Sequence, residues 1–281
     1  MARTTLASQI TTEGMALHAG GNVRMTLSPA SSGSGVVFRR ADLDGKEIPA
    51  RYDLVGETRL GTVIAQGDAS VGVIEHLMAA VSGMGVDDLL VTLDGPEPPI
   101  LDGDALSYIR LLEKAGLKEN PGARRAIKVK KSVEISIRDA QIRLLPSDTP
   151  EYVYDLDYSN TKAIGKQHYE MVLTRENFER QIAPARTFGF MHELDALNKM
   201  GLGRGASLKN TLAIDGDVVV NKELMRFADE FVRHKILDAI GDMALAGGPL
   251  IARFEGVKSG HATNNAILRA LFADSANYEW I

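Results

Sequence analysis

His234, Asp238 and Asp242 stand four residues apart in the stretch Phe231-Val232-Arg233-His234-Lys235-Ile236-Leu237-Asp238-Ala239-Ile240-Gly241-Asp242. On a helix that spacing stacks all three on one face. At about 100° per residue the same arc carries Leu224, Phe227, Phe231 and Leu245, side chains that favour burial, and a buried carboxylate is costly unless it is paired or bound to a metal. A neutral imidazole and a carboxylate at i and i+4 suit Zn²⁺. A third ligand from elsewhere would leave the fourth tetrahedral position to water. The same spacing also fits a His-Asp hydrogen bond that only braces a core helix.

Five other histidines are available: His18, His76, His168, His192 and His261. Glu75-His76 sits in Gly72-Val73-Ile74-Glu75-His76-Leu77-Met78, where His76 could supply the third ligand and Glu75 a base. No second histidine follows as in the zinc proteases, and a partly exposed helix end reads equally well. His261, in Lys258-Ser259-Gly260-His261-Ala262-Thr263-Asn264-Asn265, precedes a predicted helix. It could act as protonated electrophile or general acid, with Asp242 to hold the imidazolium, or it could be incidental to its loop. Gly201-Leu202-Gly203-Arg204-Gly205-Ala206 follows a helical run rather than a strand, which rules out a dinucleotide fingerprint. Neither a phosphate-binding Gly-x-x-x-x-Gly-Lys-Ser/Thr nor a Gly-x-Ser-x-Gly elbow occurs.

The elements that must position these residues follow from periodicity. Val23–Leu27 and Val36–Phe38 read as strands joined as a hairpin through the turn-rich residues 28–35. A helix is predicted over about Ile74–Ser82, stopped by Gly83 and Gly85, then a strand over Asp88–Leu93. The proline-rich residues 94–99 must form a loop, and helical spacing resumes over Asp104–Ala115. Residues 118–125 turn to Glu, Asn, Pro, Gly and Arg, which places a domain boundary there and divides the chain into 1–120 and 121–281. The pattern then restarts: Ile127/Val129 and Val133/Ile135/Ile137 alternate, and Gln141–Pro146 echoes Val23–Pro29. Helices are predicted over about Glu193–Met200, Glu223–Ala246 and Asn264–Phe272. Two similar α+β halves, each with a sheet first and helices afterwards, would give this pattern.

Composition narrows the functional class. The 281 residues are 44% hydrophobic and 25% charged, which is ordinary for a folded globular protein. With 32 Lys and Arg against 37 Asp and Glu, the net charge of −5 disfavours a duplex-binding role. The absence of cysteine excludes disulfides, thiolate zinc sites and a cysteine nucleophile. The N-terminal stretch lacks a signal-like apolar run and no segment is apolar enough to span a bilayer, so a cytoplasmic protein without stable membrane insertion is expected; contact with a lipid tail stays open.

Several motifs in order resemble the UDP-3-O-acyl-N-acetylglucosamine deacetylases, the zinc enzymes of the committed step of lipid A synthesis. They are Met15–Gly20, Ile74–Leu77 with Ala79-Ala80, Pro99–Gly103, Ala185–Phe190, Phe227–Asp242, and Lys258–His261 with Asn264-Asn265. Ala16, Gly72-Val73 and Ser159-Asn160 depart from the family pattern and touch none of the implied zinc ligands.

The resemblance implies His76, His234 and Asp238 as ligands of a Zn²⁺ cofactor, Glu75 as general base, and Thr187 as a hydroxyl near the oxyanion. Lys235, Asp242 and His261 are implied as further catalytic or supporting residues. It also implies an α+β fold of two similar α/β-sandwich domains with helices packed between two outer sheets.

The implied reaction hydrolyses the acetamide of a UDP-linked, 3-O-acylated glucosamine to acetate and the free 2-amino sugar. An inserted element from Phe190 to about Ala213, with Met191, Leu194, Leu197, Met200 and Leu202, resembles the family's acyl passage; ordinary amphipathic packing is the alternative for each side chain. Lys258 resembles a diphosphate contact and Tyr158 a uracil-stacking residue, with Phe188, Gly189 and His18 also placed at the substrate. A monomer is expected, with no nucleic-acid partner. A zinc amidohydrolase for another N-acylated sugar, or a non-catalytic UDP-sugar or acyl-chain binder, are the competing readings; intact Glu75, Thr187 and His261 favour an enzyme.

Overall fold

In Asn22–Pro29 and Leu89–Leu93 alternate side chains are buried, the two-residue period of strands with one face on a core. These and their neighbours belong to a computed structural model that describes residues 2–281. The first large sheet has the spatial order Ile10–Met15, Asn22–Pro29, Leu89–Leu93, Val36–Arg40, Lys46–Pro49. The second has the order Val133–Ile137, Ala140–Leu145, Arg253–Val257, Glu151–Tyr158, Gly165–Val172. In both, the strand formed last in the chain enters the middle, antiparallel to the second strand and parallel to the third. The two halves therefore share one topology. The sequence echo between Val23–Pro29 and Gln141–Pro146 falls on the second strand of each sheet.

The helices are α1 Glu75–Met84, α2 Leu106–Ala115, the single turn α3 Arg175–Asn177, α4 Met191–Lys199, α5 Glu230–Met243 and α6 His261–Phe272. In each half one long helix precedes the central strand (α1, α5) and one follows it (α2, α6). α1 packs on α5 and α2, and α6 packs on α5 and on the second sheet. The helices thus fill the space between two outer sheets, as the α+β reading expected. Each half also carries an insertion before its long helix. The first is the small hairpin Ile64–Gln66 with Ala69–Val71; the second contains α4 and the sheet of Phe188–Phe190, Leu212–Asp215 and Val218–Val219. Among the described residues no helix is long and apolar enough to cross a membrane.

Three local expectations change. Val23–Leu27 and Val36–Phe38 are strands but do not form a hairpin, because Leu89–Leu93 lies between them. Residues 118–125, read as irregular in composition, include most of the strand Leu117–Ala123, which pairs antiparallel with Ala2–Leu6 through a bulge that leaves out Pro121 and Gly122. The helix expected from Glu223 starts at Glu230, whose carboxylate accepts the Arg226 and Phe227 amides and fixes the chain in a non-helical approach. Leu224 consequently lies exposed rather than on the buried arc.

Candidate metal centre and active site

α1 delivers its two chemical side chains from its first turn. Glu75 favours that position because the helix N-terminus carries partial positive charge, and Gly85, with φ +70°, closes the other end. α5 crosses α1 at very close range: a β-carbon on Gly241 would stand 2.0 Å from the Glu75 carbonyl oxygen. Glycine at 241 thus lets the first turn of α1 reach the face of α5 that bears His234, Asp238 and Asp242.

That crossing brings His76, His234 and Asp238 together, each buried, with one ligand atom apiece lying within 4.8 Å of one another. Asp238 Oδ1 is 3.3 Å from His234 Nε2 and 3.6 Å from His76 Nε2. Neither approach has hydrogen-bond geometry; Oδ1 is a buried acceptor without a partner, and His76 Nδ1 is a second buried polar atom without one. Buried polar atoms are ordinarily paired, so this donor set fits a metal ion rather than a brace for the helix.

The surrounding contacts fit the same purpose. His234 Nδ1 faces the Ala185 carbonyl at 3.2 Å; a proton there leaves Nε2 free to ligate. Burial above all, with the neighbouring His76 and Lys235, lowers the His234 pKa to about 3 despite Asp238, so the ring is neutral. Lys235 Nζ donates to Asp238 Oδ2 at 2.5 Å, which directs the other carboxylate oxygen toward the imidazoles. Burial resists charging Lys235, but the charge and hydrogen bond of Asp238, together with Tyr154 and Tyr158, raise the pKa; burial likewise opposes ionised Asp238, and Lys235 above all holds its carboxyl well below the usual range.

Beside the triad lie an acid and a base. Burial raises the Glu75 pKa against the pull of His261 and His76. Its Oε2 accepts the Thr62 amide at 2.9 Å, and Oε1 lies 3.9 Å from His261 Nε2. His261, the first residue of α6 rather than a preceding loop residue, donates through Nδ1 to Asp242 Oδ2 at 2.9 Å. Burial would lower its pKa, but Asp242, then Glu75 and Asp238, lift it to about 9. Asn264 Nδ2 also donates to Asp242, and Thr62 Oγ1 donates to its other oxygen at 2.5 Å. Sequence reasoning missed Thr62, because a lone threonine in a loop carries no periodic or motif signal.

A cavity of about 600 Å³ opens onto His234, Lys235, Asp238, His261 and Thr187. Thr187 is seated by Gly103, which has φ +77° and leaves no room for a β-carbon beneath the Asn210 carbonyl; the Thr187 amide donates to the Gly103 carbonyl at 2.9 Å. The apolar wall includes Phe188, Gly189, Met191, Leu194, Leu197 and Leu208. Met200 and Leu202 do not line it, and Met200 is exposed beside Arg59. Tyr158 lines the cavity and packs near Phe188 and Phe190, with ring centroids 6.1 and 5.6 Å away. His18 lines it too, its ring held between the Leu60 carbonyl at 3.0 Å and the Gly203 amide at 3.2 Å. Lys258 stands outside this lining, with Nζ 3.5 Å from both Asp139 and Asp157.

A buried His-His-Asp group that could hold a metal ion, a carboxylate and a cationic histidine at its flank, and an adjoining apolar cavity on a repeated α+β fold are the parts that a hydrolase using a bound metal needs. The profile of the UDP-3-O-acyl N-acetylglycosamine deacetylase family matches residues 3–273. The chain belongs to that family. It is 42% identical over 279 residues to a UDP-3-O-acyl-N-acetylglucosamine deacetylase of Xylella fastidiosa, covering 99% of this chain and 92% of that protein. Proteins of the same name from Neisseria gonorrhoeae and Aliarcobacter butzleri are 42% and 40% identical, each covering 100% of this chain and 93% of the relative.

Proposed function

We propose that this chain removes the N-acetyl group of UDP-3-O-(3-hydroxyacyl)-N-acetylglucosamine in lipid A biosynthesis, with Zn²⁺ held by His76, His234 and Asp238. The observation that carries the reading is the buried, unpartnered Asp238 Oδ1 set against two imidazoles, with Asp238 and His234 lining an apolar cavity. Zinc bound there would acidify water and polarise the amide carbonyl.

The chain's own residues do the rest. Glu75 takes a proton from the attacking water, with its Oε2 tethered by the Thr62 amide. Thr187 donates a hydrogen bond to the carbonyl oxygen as charge develops on it. His261, kept cationic by Asp242, gives its Nε2 proton to the departing nitrogen as the C–N bond breaks. Lys235 keeps Asp238 oriented. Water oxygen ends in acetate and the sugar retains a free 2-amino group.

The acyl chain is assigned to the cavity lined by Met191 and Leu194, with Phe188, Gly189 and His18 as further contacts of the substrate. Tyr158 and Lys258 are assigned to the uridine diphosphate. The two repeats are taken as domains 1–120 and 121–281, and the enzyme as a cytoplasmic monomer, a state that gel filtration tests.

Acetate release from UDP-3-O-acyl-N-acetylglucosamine, measured with and without chelator, tests the function. Turnover that chelation abolishes and zinc restores is expected. Metal-independent turnover would remove the metal from the reading, and no turnover on this substrate, with release from another N-acylated sugar, would favour the broader amidohydrolase.

A further inference from the structure

We propose that Thr62, in the loop entering the hairpin Ile64–Gln66, is a positioning residue that sets the geometry of both proton-carrying arms, Glu75 on α1 and Asp242 on α5. The inference rests on the proposed hydrolysis for its catalytic meaning, but its geometry stands alone. Thr62 is 1% exposed, and all three of its polar groups are engaged. The amide donates to Glu75 Oε2 at 2.9 Å and the hydroxyl to Asp242 Oδ1 at 2.5 Å. The carbonyl accepts the Ile74 amide at 3.5 Å, next to the first residue of α1.

An ionised carboxylate only accepts, so the hydroxyl proton must point at Asp242. That contact occupies Oδ1 and leaves Oδ2 for His261 Nδ1 and Asn264 Nδ2, at 2.9 and 2.8 Å. On the other arm, occupation of Glu75 Oε2 leaves Oε1 as the oxygen facing His261 Nε2. One residue thereby decides which oxygen of each carboxylate is free to act. The neighbouring Gly61 clears the way, since a β-carbon there would stand 3.1 Å from Glu75 Oε1.

Removing the hydroxyl frees Asp242 Oδ1 and lets the carboxylate turn, so Oδ2 is no longer held in line with His261 Nδ1 and the cation is held less firmly. The charged groups facing that imidazole are Asp242 and Asp238 on α5 and Glu75 on α1.

The test compares Thr62→Val and Thr62→Ala, which remove the hydroxyl with different shapes, against Thr62→Ser, which keeps it. Each zinc-loaded protein is assayed for kcat, KM, metal content and melting temperature, and the His261 ring is titrated by NMR. For Val and Ala we expect kcat to fall about 10- to 100-fold, with KM and metal content unchanged and the His261 midpoint moved to lower pH by about one unit. Serine should restore most of the rate and the midpoint. Should one hydroxyl-free variant not fold, the other carries the comparison.

An unmoved His261 midpoint with wild-type kcat would overturn the proposal, as would a loss in Ser equal to that in Val, or a loss expressed only as metal release. A wild-type protein that releases no acetate would sink the proposed function instead, and the NMR titration would still decide the role of Thr62.

Discussion

Glu75 and His261 face each other 3.9 Å apart, and the pKa of each is raised: by burial for the carboxyl, which makes its carboxylate the stronger base, and by the neighbouring carboxylates, against burial, for the imidazole. Replacing Glu75 with Gln keeps the shape and removes the base. We expect zinc content to hold while kcat drops roughly 100- to 10,000-fold, checked by metal analysis and acetate release. Retained turnover would transfer the base role elsewhere.

The His261 pKa gives the sign of a second prediction. It lies at about 9 in the folded protein, above its ordinary 6.5, so the cation persists through neutral pH and is lost as pH rises through about 9. The rate should show an alkaline limb there. The stabilisation from the His261–Asp242 pair should be complete below about 6.5 and gone above about 9. Asp242→Ala should pull the limb toward neutral pH with metal retained, whereas Asp238→Ala should release the metal and leave Lys235 without its carboxylate. A pH–rate profile paired with metal content separates the two aspartates, and equal metal loss in both would merge roles kept apart here.

At the scale of elements, the decisive feature is the α1–α5 crossing. Gly241→Ala sets a methyl against the Glu75 main chain, 2.0 Å from its carbonyl oxygen, so the helices must separate. Overpacking of this kind costs about 1–3 kcal/mol. The shift should also widen the gap between His76 and the pair on α5, so weaker zinc binding is expected alongside a lower melting temperature. Full zinc affinity in a destabilised variant would mean that the ligands tolerate the displacement.

Much of this level was legible: α1, α2, α4 and α6 follow apolar spacing, α1 ends at Gly85 although it runs through Gly83, and the His234–Asp238–Asp242 stack follows from four-residue intervals alone. The start of α5 was not, because Glu230 captures amides upstream of itself, a side-chain contact that periodicity does not register. The supposed hairpin of the first sheet was equally opaque, since the strand that separates its arms comes some 50 residues later in the chain.

Across the whole molecule, the proposed ligands come from equivalent helices of two topologically matched halves: His76 from α1, His234 and Asp238 from α5. An ion held there would link the halves. Ligand binding stabilises the native state by mass action, about 4 kcal/mol when free metal exceeds the dissociation constant a thousandfold. Chelation should therefore lower the melting temperature by several degrees, and zinc should restore it. Asp238→Ala should abolish that zinc-dependent gain in calorimetry. A melting temperature indifferent to zinc in the wild-type chain would count against a site that bridges the halves.

The sequence by itself determined the local facts: which stretches alternate, which coil, where glycine ends a helix, and that a histidine and two aspartates share one helical face. Those properties depend on residues a few positions apart. The resemblance of separated motifs placed Glu75, His76, Thr187 and His261 in one reaction, but no interval in the chain implies that they meet. Only the tertiary structure decided that residue 76 lies against residues 234 and 238, that Asp238 keeps an unpartnered oxygen, and that Thr62 touches both Glu75 and Asp242. Contacts between groups up to 180 positions apart arise from helices packing between two sheets at a crossing kept close by one glycine.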